Sequence, residues 1–178
     1  MNGLVIYKGK YGATKQYAMW IGQELQLPVA SADRFPVDEL PKYDYFILGS
    51  SVYIGKLEIK DWLKKNFTAL MNKKLFFFQV SASPPEQIEK RESYNKASLP
   101  PDILNKIQFY YLPGRMIMRN LSAWDRFMLK MGAKLTKDPI EKKTMLTDFD
   151  HVKKENILPV IDAIRTLKAV SEPEIELA

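Results

Sequence analysis

Leu4-Val5-Ile6-Tyr7 runs straight into Lys8-Gly9-Lys10-Tyr11-Gly12-Ala13-Thr14, and Thr14 opens a segment with Tyr17, Ala18, Ile21 and Leu25 at helical spacing. A short apolar run, a Gly-containing loop and an amphipathic helix follow one another in that order. The same grammar returns at Tyr45 to Leu48, which enters Gly49-Ser50-Ser51-Val52-Tyr53-Ile54-Gly55 before Ile59, Trp62, Leu63, Phe67 and Leu70. It returns again at Leu75 to Val80, followed by Ser81-Ala82-Ser83-Pro84-Pro85 and a polar helical stretch from about Glu86. Weaker runs at Val29 to Ser31 and Ile107 to Leu112 bring the strand count to five. Short strands, apolar on both faces and separated by helices, are those of a buried parallel sheet with right-handed crossovers. The pattern therefore predicts an α/β, doubly wound sheet of five parallel strands with helices on both faces.

Composition sets the limits of function. The chain has 178 residues, 46% hydrophobic and 27% charged, and a formal charge of +6. This is an ordinary globular composition with room for one core, and residues 1–170 read as one domain. The acidic stretch Glu172-Pro173-Glu174-Ile175-Glu176, within a tail at 171–178, reads as disordered. There is no Cys and a single His, His151. Thiolate chemistry and Cys-ligated metals are excluded, a multi-His metal site cannot be built, and no metal is expected. The start of the chain lacks the pattern of a secretory signal, and its strongest apolar run is cut by Gln79, so the reading is cytoplasmic with no spanning helix.

In an open parallel sheet, ligands bind beyond the carboxyl ends of the strands, where the strand order reverses. The loop from Lys8 to Thr14 offers free backbone N–H groups, small residues at Gly9 and Gly12, the charges of Lys8 and Lys10, and Thr14 as helix N-cap and phosphate donor. It is neither a Gly-Lys-Ser/Thr triphosphate loop nor a G-x-G-x-x-G dinucleotide loop. The second loop, Ser50 to Gly55, carries hydroxyls and the Tyr53 ring, and the third, Ser81 to Ser83, is small and polar. A phosphate loop beside two loops suited to a flat heterocycle implies a mononucleotide with a large ring.

The excess charge is local. From Arg115 to Lys137 there are six basic residues, Arg115, Arg119, Arg126, Lys130, Lys134 and Lys137, against one acid, Asp125. In the same stretch Leu121, Trp124, Met128, Met131 and Leu135 recur at spacings of three and four, which predicts a basic amphipathic helix. It lies in an insertion, about 113–146, before the last helix. Its apolar side is expected either to pack on its own domain, to line a hydrophobic site, or to lie in a lipid interface with Arg and Lys at the headgroups. No nucleic-acid motif accompanies the basic patch. His151 reads as a surface residue at the start of a last helix from Asp150 to Lys168, which Pro159 should kink.

The order of these loops resembles the flavodoxin family, whose phosphate loop is written [T/S]-x-T-G-x-T. More closely, the chain resembles the flavodoxin-like quinone-dependent protoporphyrinogen dehydrogenases. The shared features are Gly12-x-Thr14, Gly49-x-Ser51-x-x-x-Gly55, Thr147-Asp148 and above all Trp124-Asp125-Arg126-Phe127-Met128-Leu129-Lys130. The resemblance implies FMN, with its phosphate on Lys8 to Thr14 and its ring between Ser50 to Gly55 and Ser81 to Ser83. Lys8 and Gly9 stand where the family has hydroxyl residues, and the lysines are expected to compensate by charge. The chemistry would be flavin-borne, with electrons taken from a porphyrinogen-like substrate and passed to a quinone. Arg115, Arg119 and Arg126 are the candidates for substrate carboxylates, and Trp124, Phe127 and Lys130 join them on a substrate or membrane surface. Two rivals stand beside this reading: an electron carrier between protein partners, against which net basicity argues, and a module that has lost FMN. The oligomeric state is left open.

Overall fold

A computed structural model describes residues 1–84, 86–137 and 139–171 of the chain. The apolar runs form strands β1 (Gly3–Lys8), β2 (Val29–Ser31), β3 (Tyr45–Tyr53), β4 (Lys74–Ser81) and β5 (Ile107–Pro113). They pair in the order 2-1-3-4-5, every neighbour parallel. The sheet is the one the sequence predicts, and its switch point lies between β1 and β3.

Successive side chains on a strand point to opposite faces, so each buried strand feeds two cores. Val5, Tyr45, Ile47, Phe76 and Phe78 join one, covered by helices α1 (Ala13–Leu25) and, at the end of the chain, Leu158–Ser171. Leu4, Ile6, Phe46, Leu48, Leu75 and Phe77 join the other, covered by α2 (Lys60–Leu70) and by Leu99 and Ile103. Helix α3 (Ile88–Ser98) is polar in sequence because it packs through hydrogen bonds rather than an apolar stripe. The Gln79 amide, buried in the central sheet, donates to Asn95 Oδ1 at 2.8 Å and to the Arg91 carbonyl at 2.9 Å, and Ser98 Oγ accepts from Leu57 N at 2.8 Å.

Three local expectations are corrected. Helix α1 is capped by Gly12 at φ 85°, a left-handed conformation that suits glycine, so Thr14 lies inside the first turn instead of serving as N-cap. The insertion is not one helix but two, α4 (Ala123–Leu135) and α5 (Pro139–Leu146). Its ends are pinned by an antiparallel pair, Arg115–Met116 with Phe149–Asp150, and by Asp148 Oδ1, which accepts from Met118 N at 2.8 Å. The last helix, α6 (Leu158–Ser171), begins after the 3-10 turn Lys154–Ile157. His151 is therefore in the extended lead-in, exposed and stacked on Phe149, while Pro159 falls in the first turn, where its missing N–H leaves no bond unmade. The acidic stretch 172–176 lies outside the described residues, as does Pro85.

Burial raises four tyrosines, Tyr17, Tyr45, Tyr110 and Tyr111, above their ordinary value, because desolvation disfavours the phenolate. A raised acid pKa means that the folded state holds its proton more tightly than the unfolded state. The stabilisation is therefore complete below about pH 10 and is lost as the pH climbs past that value. We expect the thermal midpoint to be insensitive to these groups at neutral pH and to fall steeply in alkali. Phenolate absorbance should rise together with unfolding; four tyrosines ionising before the helical signal is lost would contradict this.

Candidate functional site

The carboxyl ends of β1, β3 and β4 converge at the switch point, and the loops that leave them enclose a cavity of about 470 Å³. From the first loop Lys10, Tyr11, Ala13 and Thr14 line it; from the second come Ser51, Val52, Tyr53 and Ile54; from the third, Ser81 and Ala82. A neighbouring cavity of about 410 Å³ shares Val52, Ile54, Ser81 and Ala82 and adds Gly55 and Ser83. The three loops singled out in the sequence are thus brought together.

Two buried hydroxyls on the first cavity, Thr14 Oγ1 and Ser81 Oγ, have no hydrogen-bond partner among the described residues. A buried hydroxyl left unpaired costs about 1–3 kcal/mol, which makes these two the candidates to bond a ligand's oxygens. Close approach is built in at Gly9, where a Cβ would lie 2.5 Å from Thr14 Oγ1 and 2.7 Å from Thr14 Cβ. The start of α1 adds its backbone N–H groups and positive dipole end.

Other expected ligand residues have different work. Ser50 is fully buried: its hydroxyl donates to the Ser51 carbonyl at 2.9 Å and accepts from Ile59 N at 3.2 Å, shaping the second loop from beneath. Ser51 Oγ donates to the Glu58 carboxylate. Lys8, Gly9, Gly12 and Ser50 border neither cavity. The two lysines are not bare charges awaiting a phosphate either, since Lys8 Nζ pairs with Asp33 at 2.6 Å and Lys10 Nζ with Asp125 at 2.8 Å. The third loop is held by the buried Arg91, which donates from Nη2 to the Ser83 carbonyl at 2.8 Å; burial pushes this guanidinium below its ordinary value.

The insertion roofs the cavity. Met116, Leu121, Met128, Leu129, Gly132 and Met145 face it, with Arg115 at the wall. Arg115 is held by the Gln16 amide oxygen and by Asp150, 3.6 Å away, while its buried Nε has no partner among the described residues. Arg119, Arg126 and Lys130 do not line the cavity, nor do Trp124 and Phe127. Those two aromatic residues, which are 61% and 52% exposed, share the outer side of α4 with Leu135, at 79%. The apolar stripe read from the sequence is therefore divided: Leu121 and Met128 line the cavity, while Trp124, Met131 and Leu135 are exposed. The inner side of the segment is built from Leu121, Asp125, Met128, Leu129, Gly132 and Ala133, a set whose polar member hides its pattern.

Asp125 is the residue that sequence reasoning passes over. Buried in the first turn of α4, it accepts from Tyr53 OH at 2.6 Å and from Tyr11 OH, besides pairing with Lys10. The Lys10 ammonium also sits over the Tyr53 ring, 4.0 Å from its centroid. Bonding to Asp125 is the main cause that raises the Lys10 pKa above its ordinary value. The one signal in the sequence is a single acid inside a basic stretch.

Taken as chemistry, the start of α1 offers N–H donors to an anion, and the second and third loops line the two cavities beside it. Residues 4–143 match the family model described as a flavodoxin domain. The chain belongs to the flavodoxin family. Among solved structures, this flavodoxin-family chain is similar to a flavodoxin from the domain Archaea, with 13% identity over 93% of this chain and 99% of that one and a TM-score of 0.47. It is similar to oxidised Flavodoxin 2 from Bacillus cereus, with 16% identity over 82% and 92% and a TM-score of 0.47. It is likewise similar to the flavodoxin, WrbA-like protein from Agrobacterium tumefaciens, with 16% identity over 67% and 87% and a TM-score of 0.48. No curated protein matches the chain.

Proposed function

We propose that the chain is an FMN-dependent oxidoreductase that oxidises a porphyrinogen-like substrate and delivers the electrons to a quinone. FMN fits the residues present: the unpaired Thr14 and Ser81 hydroxyls and the backbone N–H groups at the start of α1 suit a phosphate and a ribityl chain. Ser51 to Gly55 and Ser81 to Ser83 would flank the ring. FMN, when bound, supplies the electron-accepting chemistry; the protein supplies position and a dry site.

The observation that carries the substrate reading is the roofed chamber. A carrier that only hands electrons to other proteins needs an exposed flavin edge, whereas here Met116, Leu121, Met128, Leu129 and Met145 add an apolar wall to the half-open cavity of the cofactor loops, and Met116, Leu129 and Met145 extend it into the neighbouring one. Flexible methionines suit a broad, irregular hydrophobic ligand. Arg115, with Nε unpaired, is the group for a substrate carboxylate, ahead of the exposed Arg119 and of Arg126. The test is anaerobic turnover of a porphyrinogen by FMN-loaded protein with a quinone. Arg115→Met should raise KM about 10- to 100-fold, the worth of a charge-assisted hydrogen bond, and leave the flavin band intact. Flavin-loaded protein with no turnover would instead favour the electron carrier.

The outer side of α4 fits the place where a quinone is found. Trp124, Phe127, Met131 and Leu135 are exposed, with Lys130, Lys134 and Lys137 beside them, a pattern suited to an anionic lipid surface. No helix among the described residues is long and apolar enough to cross a membrane. We expect the protein to sediment with vesicles containing phosphatidylglycerol. Reversing Lys130 and Lys134 should weaken that binding by at least about 10-fold, at about 1 kcal/mol for each basic residue near the surface. Equal binding to neutral vesicles at all salt concentrations would remove the electrostatic part of the proposal.

A further inference from the structure

The Asp125 cluster joins elements that the fold does not otherwise need to join. Tyr11 and Lys10 belong to the phosphate loop, Tyr53 belongs to the ring loop, and Asp125 stands at the start of the roof helix α4. Ser122, the N-cap of α4, accepts from Asp125 N at 3.1 Å, which orients the first turn, and Ser122 N itself reaches Tyr11 OH at 3.4 Å. With Trp124, Phe127 and Leu135 turned outward, α4 buries only Asp125 and Ala133 among its own residues. A buried carboxylate with three donors therefore supplies much of what holds the roof down. Its bonds are charge-assisted, and leaving such a group without partners is costly.

We propose that Asp125 is a positioning residue that couples the cofactor site to the roof. By holding Lys10, Tyr11 and Tyr53 it fixes two cofactor loops in the conformation that receives the ligand, and the same bonds dock α4 over the substrate chamber. Ordering the loops from either side then lowers the cost of ordering them from the other, so cofactor binding and roof docking favour each other reciprocally. This inference rests on the FMN reading given above.

The experiment is limited trypsin digestion of wild type and Asp125→Ala, with and without saturating FMN, alongside FMN affinity from quenching of flavin fluorescence. Arg126, Lys130, Lys134 and Lys137 place cleavage sites on and just beyond α4. In wild type, FMN should slow cleavage of this segment about 10-fold, within the usual range of couplings between sites. In Asp125→Ala the segment should be cut faster, FMN should slow cleavage less than about twofold, and FMN Kd should rise by the factor lost from protection, as reciprocity requires. Equal protection by FMN in both proteins would overturn the coupling and leave the cofactor reading standing. Wild type that binds no FMN would overturn both. Should Asp125→Ala fail to fold, the double variant Tyr11→Phe with Tyr53→Phe, which keeps the carboxylate and its Lys10 pair, gives the same comparison and the same overturning result.

Discussion

Replacing Gly9 with valine should abolish retention of FMN while the sheet stays folded. A Cβ at position 9 would sit 2.5 Å from Thr14 Oγ1 and 2.7 Å from Thr14 Cβ, closer than real Cβ atoms come, and a tight 3.3 Å from Ser51 Oγ. Something has to move, and the atoms in the way include the unpaired Thr14 hydroxyl that the proposed function gives to the phosphate. Each hydrogen bond to a charged group is worth about 1.5–3 kcal/mol, so displacing this donor and the loop behind it should weaken FMN binding at least about 100-fold. Gly9 is only half-buried and belongs to neither core, but the side chain it would strike is the buried Thr14 of α1, so the cost to stability should be that of local overpacking, about 1–3 kcal/mol. The measurements are the flavin absorbance left after gel filtration and the urea midpoint. A yellow, unchanged protein would mean that the phosphate does not approach Gly9.

This prediction draws on information at two ranges. The fold is legible in the sequence because each strand and helix declares itself within a window of about fifteen residues, and a period of two or of 3.6 is a local property. The loops are legible for the same reason, since a parallel sheet sends every strand's carboxyl end to the same edge. Thr14 reads as a cap although a left-handed Gly12 does that work, and no spacing separates the two. Asp125 and Tyr11 are 114 positions apart, and nothing in either neighbourhood reports the other. The orientation of α4 is the least legible feature, because the pattern allows its apolar side to pack on its own domain, to line a hydrophobic site or to lie in a lipid interface. The helix turns inward its carboxylate with Met128, Leu129, Gly132 and Ala133, and leaves Trp124 and Leu135 in solvent. Periodicity reveals that a helix has two sides; a buried ionic cluster can decide which one the domain takes.

Phe77→Ala should destabilise the protein without touching the site. Phe77 is fully buried at the middle of β4, in the core that holds Phe46, Leu48 and Leu63, with its ring 5.2 Å from that of Phe109. Loss of a buried Phe to Ala costs about 3–5 kcal/mol in transfer free energy and cavity. That is a large part of the about 5–15 kcal/mol that holds a domain together. For a chain of this size it lowers the thermal midpoint by roughly 10 °C. The two substitutions then respond to FMN in opposite ways. A ligand that binds only the folded state stabilises it by about 2.7 kcal/mol at 100 times its Kd. Added FMN should therefore restore much of the midpoint lost in Phe77→Ala, whose loops are intact, and do nothing for Gly9→Val. Rescue of both variants would place the phosphate elsewhere, and rescue of neither would mean that the unpaired hydroxyls of Thr14 and Ser81 await a different ligand.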